Sequence, residues 1–228
     1  MLNNRLLAAL PTNARRHFLA GCDQVELAMS EVLCEPGGRI REVYFPTRGL
    51  ISLQIPMNGN GSLGVGLIGS EGMLGTPLVM GIDVSPMQAL VQGAGLAWRI
   101  EAATFRKELE ASPALRRILN RHMYVLMTQL AQAAACARYH LVEARLARLL
   151  LMTQDRVRCA DFHLTHDLMA HMLGVRRVGV TKAAFALQKR NLISYARGNI
   201  TIIDDEGMQQ ASCDCYQLDK NLYDRILS

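Results

Sequence analysis

The chain lacks any apolar run approaching the roughly 20 residues that a membrane-spanning helix needs, so no segment is expected to cross a bilayer. Its opening stretch, "MLNNRLLAALPTNARRHF", has no long apolar core and no small-residue cleavage site. It reads instead as a short amphipathic helix carrying Leu6, Leu7 and Leu10 in a cytoplasmic protein. The six cysteines, Cys22, Cys34, Cys136, Cys159, Cys213 and Cys215, include no C-x-x-C pair. The expectation is reduced, mostly buried thiols. Cys213 and Cys215 are close enough to join a metal or redox site, but pairs of that kind are more often incidental. A nucleophile elbow, a P-loop, a dinucleotide fingerprint and a paired-carboxylate arrangement with an evident partner are all missing, which argues against an enzyme. No internal repeat or low-complexity tract is visible.

What is present is ordinary globular composition, half hydrophobic and one fifth charged, in a chain long enough for two domains. The net charge of +5 is unevenly spread. Residues 1–100 carry seven basic and seven acidic side chains, residues 101–200 carry sixteen and seven, and residues 201–228 carry two and six. A polyanionic partner would therefore meet the third quarter of the chain.

Thirteen of the eighteen glycines fall between Gly37 and Gly95. Among them stand the strand-like runs "EVYFP", "GLISLQIP", "SLGVGLIG", "ALVQGAG" and "LAWRI", with "MNGNG" at 57–61 as a turn signal. Short strands with close turns predict an antiparallel roll or sandwich with few helices between about 22 and 100. From Glu101 the texture becomes helical. Ser112 before Pro113 has the form of an N-cap with proline in the first helical position. Leu115, Leu119, His122, Leu126, Gln129 and Ala133 then recur at three- or four-residue spacing along a long amphipathic helix. That seam could pack on the roll of the same chain or form a coiled-coil dimer. The helix is longer than a small roll would cover, which favours the dimer. A second helix, "HLVEARLARLLLMTQ", and a polar joint follow, and a short helix is expected at "QLDKNLYDRIL".

The stretch "LTHDLMAHMLGVRRVGVTKAAFALQKRNLIS" reads as two helices pinched at Gly174. Thr165 can cap the first, whose apolar face is Leu168, Met169, Met172 and Leu173. Gly174 suits the left-handed backbone that ends a helix. Val180, Ala184 and Leu187 give the second helix its packing face. Arg176, Arg177, Thr181, Lys182 and Phe185 then fall on other faces, leaving a polar and basic edge without acids at the helix start. A recognition helix enters a major groove by such an end. Arginine there can bond both acceptors of guanine, and neighbouring cations can hold phosphates. "LISYARGNITIID" adds a hairpin whose tip carries Arg197, a wing able to touch the backbone of a duplex.

This region resembles the DNA-binding part of the Crp/Fnr superfamily of bacterial transcription regulators. Leu164, Thr165, Ala170, Gly174, Arg177, Val180, Thr181, Lys182, Leu192-Ile193-Ser194 and Ile203-Asp204 fit the family pattern. The upstream order of roll, long helix and "EARLARLLL" is similar too. The resemblance implies an α+β protein: an N-terminal cyclic-nucleotide-binding-like antiparallel β-roll sensor (1–110), a dimerisation helix and linker (111–150), and a C-terminal winged helix–turn–helix (151–228). It implies a homodimer bound to double-stranded DNA at a pseudo-palindrome, with RNA polymerase and a small-molecule effector as further partners. The DNA-contacting set would be Thr165, His166, Arg176, Arg177, Val178, Thr181, Lys182 and Arg197, with His166 where the family places a phosphate-contacting arginine. Val178 stands where the family has an acid that reads cytosine, so an altered operator is expected. Gly179 lowers helix propensity by roughly 1 kcal/mol against alanine.

The sensor departs further. Cyclic-nucleotide-binding relatives carry a Gly-Glu at a short helix start and an arginine about a dozen residues on. Gly69, Ser70, Glu71 and Gly72 are similar to the first part and form the candidate effector pocket, with Glu71 either a structural cap or a ligand contact. At the arginine position stand Ser85, Pro86, Met87 and Gln88, and no basic residue lies between Arg48 and Arg99. A buried cyclic phosphate would be poorly compensated there, so cyclic AMP by the family mode is not expected and no cofactor is assigned. Cys22 and Cys34 do not supply an iron–sulfur cluster. His17 or His122 is a formal haem ligand but is more simply surface or seam. His163, His166 and His171 with Asp161 and Asp167 are rich in metal-ligating types but do not share a face, and no metal is assigned. The rival reading is a ligand-binding or scaffolding protein that does not bind DNA, against which the basic recognition edge speaks.

Overall fold

The computed structural model describes residues 4–57 and 62–227; of the "MNGNG" turn, residues 58–61 lie outside that range. Two short helices open the chain, α1 (Arg5–Ala8) and α2 (Thr12–Ala20). Leu6, Leu7 and Leu10 are all buried. Then come β1 (Asp23–Leu27), β2 (Val32–Cys34), β3 (Glu42–Pro56), β4 (Ser62–Ile68) and β5 (Gln88–Glu101), with a 3-10 turn at Thr76–Met80. The strands form one antiparallel sheet in the order β1-β5-β3-β4, with β2 also paired to β5. "EVYFP" and "GLISLQIP" run together as β3, and "ALVQGAG" and "LAWRI" as β5, so five expected runs become three long strands. Their pairing shifts register at Pro46/Arg48, Arg48/Leu50 and Leu50/Ile51. Such bulges bend a strand, and here they let two long ribbons curl into a roll. Gly49 sits at the bend with φ 93°, where a Cβ would lie 2.6 Å from the Gly93 carbonyl oxygen.

α3 (Ala102–Ala111) leads into α4 (Pro113–Tyr139). The Ser112 hydroxyl accepts from the Leu115 N–H at 3.2 Å, and Pro113 occupies the first turn, where its missing N–H costs nothing. α5 (Val142–Val157) follows, then β6 (Asp161–His163), α6 (His166–Leu173), α7 (Arg177–Lys189), β7 (Ile193–Ala196), β8 (Asn199–Ile202), α8 (Asp205–Ala211) and α9 (Cys215–Leu227). β6, part of the expected polar joint, pairs with β8 and makes the wing a three-stranded sheet.

Two cores result. In the first, Phe18, Phe45 and Phe105 meet edge-on or tilted inside the roll. α1, α4 and the end of α9 close this core with Leu115, Leu119, Leu222, Tyr223 and Leu227. The second gathers α5 to α8 and the wing around Leu146, Leu150, Leu187 and Ile200, and takes in Leu50 from β3. α6 rests directly on β4: Met172 fills the space where a side chain at Gly64 would go. No helix among the described residues is long and apolar enough to cross a membrane.

The expected dimer seam is corrected by this packing. Leu115, Leu119 and His122 are buried within this chain, because α4 turns that face to the roll and to α9. Leu126, Gln129 and Ala133 line a groove of about 550 Å³ between α4, β4, α5 and α6. The large apolar side chains that α4 leaves in solvent are Tyr124, Met127, Leu130 and, at its C-terminal end, Tyr139, each more than half exposed.

His122 is a cost carried by this arrangement. Burial pushes its pKa down to about 4 from the ordinary 6.5, so the ring is neutral in the folded chain. The unfolded chain binds the extra proton between those values, so stability falls as pH drops from about 6.5 and levels off below about 4. The full effect is about 3 kcal/mol. Equilibrium urea unfolding at pH 7 and pH 5 should show about 2 kcal/mol of this loss, and the His122→Gln chain should show a visibly flatter dependence.

Candidate nucleic-acid interface

The helix–turn–helix is built by local chemistry. The Thr165 hydroxyl accepts from the Leu168 N–H at 3.2 Å and starts α6. Gly174 ends it with φ 62°, a backbone conformation that L side chains adopt only at a cost. The Val175 N–H returns to the Ala170 carbonyl, and Arg145 of α5 donates to the Leu173 carbonyl, so the last turn of α6 is capped from two directions. α7 then lays Val180, Ala183, Ala184 and Leu187 into the core. The small alanines let it cross closely over α5 and α6.

The opposite side of α7 is open. Arg176, Arg177, Val178, Thr181, Lys182 and Phe185 are exposed. The first turn contains no acid and no side-chain cap. Its unpaired N–H groups and the positive end of the helix dipole therefore add to the two arginines. One acid lies near: Asp167 of α6 meets Arg177 Nε at 3.5 Å. Both side chains are more than 60% exposed, so the pair is worth little and a stronger anionic partner can replace it. Beside α7 the hairpin turns at Arg197 and Gly198, with φ 52° and 86°. Two successive positive φ values suit the twist of a two-residue hairpin, and they put Arg197 at the exposed tip.

His166 is placed differently from expectation. Its ring stacks on Tyr195 with centroids 4.3 Å apart, and Nδ1 is 3.1 Å from the Thr181 hydroxyl. Its Nε2 is covered. Burial, with the Arg177 charge added, lowers its pKa below the ordinary histidine value. With Nε2 covered, the imidazole bridges α6, α7 and β7. Thr165 spends its hydroxyl oxygen on the cap. His163 meets Asn199 at the wing, and the histidine-rich segment makes no metal cluster among the described residues.

The candidate effector pocket, Gly69–Gly72, is engaged within the chain. Ser70 is fully buried. Its carbonyl accepts from the Arg5 N–H at 2.6 Å, and its own N–H donates to the Arg156 carbonyl at 3.3 Å. Glu71 Oε1 pairs with Arg156 Nε of α5 at 3.0 Å. The Glu71 carbonyl accepts from the Tyr223 hydroxyl of α9 at 2.6 Å, and the Gly72 carbonyl from the Asn4 side chain at 2.8 Å. Residues 69–72 thus join the roll to the C-terminal helices, with Glu71 paired to Arg156. The cavity inside the roll, lined by Leu53, Ile68, Leu74, Ser85 and Met87, is about 30 Å³, room for a water or two.

Residues 144–211 match the Crp-like helix-turn-helix domain family. Residues 144–211 thus carry a Crp-like helix-turn-helix domain, in a chain whose fold is similar to that of Crp/Fnr regulators. Among solved structures it is similar to FixK2 from Bradyrhizobium japonicum, with TM-score 0.71 and 11% identity over 84% of this chain and 98% of that one. It is similar to the c-di-GMP-responsive regulator CLP from Xanthomonas campestris, with TM-score 0.68 and 14% identity over 84% and 99%. A Crp/Fnr-family transcriptional regulator from Thermus thermophilus gives TM-score 0.66 and 19% identity over 83% and 98%. At these identities the likeness is one of fold. No curated protein matches the chain in sequence. The Crp/Fnr fold and the helix-turn-helix family together support a DNA-binding transcription regulator.

Proposed function

We propose that the chain is a homodimeric, sequence-specific DNA-binding regulator that inserts the N-terminal end of α7 into the major groove. The observation that carries this reading is the exposed, acid-free start of α7, flanked by Arg197 on the wing. Arg177 is the base-reading residue, one turn before Thr181. Arg176, Lys182 and Arg197 hold phosphates. Val178 presents an apolar methyl surface, which suits contact with thymine better than the hydrogen bond that an acid gives to cytosine. The sensor roll has no cation where a cyclic phosphate would need one, its cavity is small, and its Gly69–Gly72 loop is engaged within the chain. We therefore assign it no cyclic-nucleotide response.

The second copy meets the outward face of α4. Tyr124, Met127 and Leu130 form an apolar patch on a long helix, as an isologous helix pair requires. The buried Leu115, Leu119 and His122 take no part.

Selection from random duplexes should enrich an inverted repeat with half-sites about one helical turn apart, roughly 34–36 Å. Arg177→Ala should weaken binding to the selected site by about 1–3 kcal/mol and relax the base preference at one position per half-site. Recovery of no inverted repeat, with unchanged binding by Arg177→Ala, would sink the proposal. Light scattering should find a dimer for the native chain and a monomer for Met127→Asp, since the substitution places a charge in the seam. Cyclic AMP titrated into the protein should give no saturable heat, and tight binding would show that the roll opens to a nucleotide despite lacking the cation.

A further inference from the structure

The four side chains Cys136, His140, Cys213 and Cys215 come together from two distant parts of the chain. Cys136 lies in the last turn of α4 and His140 is its C-cap, at the joint into α5. Cys213 precedes α9 and Cys215 opens it. Their ligand atoms all lie within 4.8 Å of one another. Cys136 Sγ is 3.5 Å from Cys213 Sγ, and Cys215 Sγ is 3.6 Å from His140 Nδ1. Three thiols and one imidazole are the ligand types of a structural zinc site, with Zn–S about 2.3 Å and Zn–N about 2.0–2.1 Å. A tetrahedron of those bond lengths has S···S edges of about 3.8 Å and S···N edges of about 3.6 Å. The two observed separations are close to those edges.

Donor groups border the cluster. Gln132 Nε2 donates to Cys215 Sγ at 3.0 Å. Arg148, a buried cation paired with Asp219 at 2.5 Å, also borders Cys136. Its Nε is buried without an acceptor among the described residues. Donors and positive charge aimed at sulfur offset the negative charge that three thiolates leave around a divalent ion, and they orient the ligands. The ligand atoms are too close together to frame a multi-iron cluster, in which each metal takes its own cysteines around bridging sulfides.

We propose that Cys136, His140, Cys213 and Cys215 bind one zinc ion tetrahedrally. On binding, the three thiols release their protons and His140 donates the lone pair of Nδ1 as a neutral ring. The ion ties the connection between α8 and α9 to the joint between α4 and α5. It therefore stiffens the point where the long helix hands over to the helix–turn–helix. The site stands on these four side chains alone, independently of what α7 binds.

The full chain, purified under reducing conditions without chelator, should contain about one zinc per chain by elemental analysis. Replacement by cobalt(II) should give the visible absorption of a tetrahedral ion and a sulfur-to-cobalt charge-transfer band. Cys213→Ser and His140→Ala should each lose most of the bound zinc, whereas Cys159→Ser, at an exposed cysteine outside the cluster, should retain it. Circular dichroism separates loss of metal from loss of fold, and the cobalt spectrum of the native chain needs no variant. Native protein that holds no zinc and gives no tetrahedral cobalt spectrum would overturn the proposal. So would an intact mass showing a Cys136–Cys213 disulfide in place of metal.

Discussion

The ion pair between Glu71 and Arg156 is the constraint around which this protein is assembled. Both side chains are largely withdrawn from water, at 16% and 10% exposure. A buried charge is tolerable only when its partner is held in place. Arg156 is held by further bonds from Nε to the Leu67 carbonyl and from Nη1 to the Met152 carbonyl. Keeping the pair intact requires α5 to lie against the loop after β4. That placement brings α6 onto β4, and α6 in turn sets the angle at which α7 stands. A loop of four residues in the roll thus fixes the attitude of the outermost helix.

The C-terminal helix completes the same design. α9 follows the wing in sequence but buries Leu222, Tyr223 and Leu227 in the core of the roll. Its Asp219 neutralises Arg148 of α5, and its Tyr223 hydroxyl reaches the Glu71 carbonyl. The two ends of the chain also meet where Arg5 pairs with Asp224 at 2.7 Å. The roll and the helix-turn-helix part are therefore not beads on a linker. A shift at the loop would have to move α5 and α9 together, because packed interiors transmit displacement instead of absorbing it.

The side of the molecule proposed to face DNA is organised on a different principle. Its inner surface is dry and well packed, with Val180 and Leu187 fully buried, while its outer surface is a set of cations with weak or no partners. His166 marks the boundary between the two. Stacked on Tyr195 and bonded to Thr181, it is spent on rigidity, and the arginines beside it stay available because nothing inside the protein competes strongly for them.

Much of this was legible in the sequence wherever the controlling interaction is local. The caps at Ser112 and Thr165, the turn at Gly174, the face of Val180, Ala184 and Leu187, and the wing turn at Arg197-Gly198 each depend on residues within about one turn of one another, so spacing and residue type carry the information. The family pattern was readable for the same reason. The seam of α4 shows where this stops. Periodicity revealed that Leu115, Leu119 and His122 share a stripe, but not that the roll and α9 of the same chain cover it and that Tyr124, Met127 and Leu130 are left outside. Glu71 looked like part of a ligand cassette because its partner, Arg156, is far away in sequence. Cys213 and Cys215 looked incidental because Cys136 lies 77 residues before Cys213. The sequence by itself determined the elements, their order and the basic edge of α7, all of which follow from hydrogen bonds and side-chain periodicity along the chain. Only the tertiary structure decided which faces are covered, which charges are paired and which cysteines meet, because those depend on what the fold brings alongside.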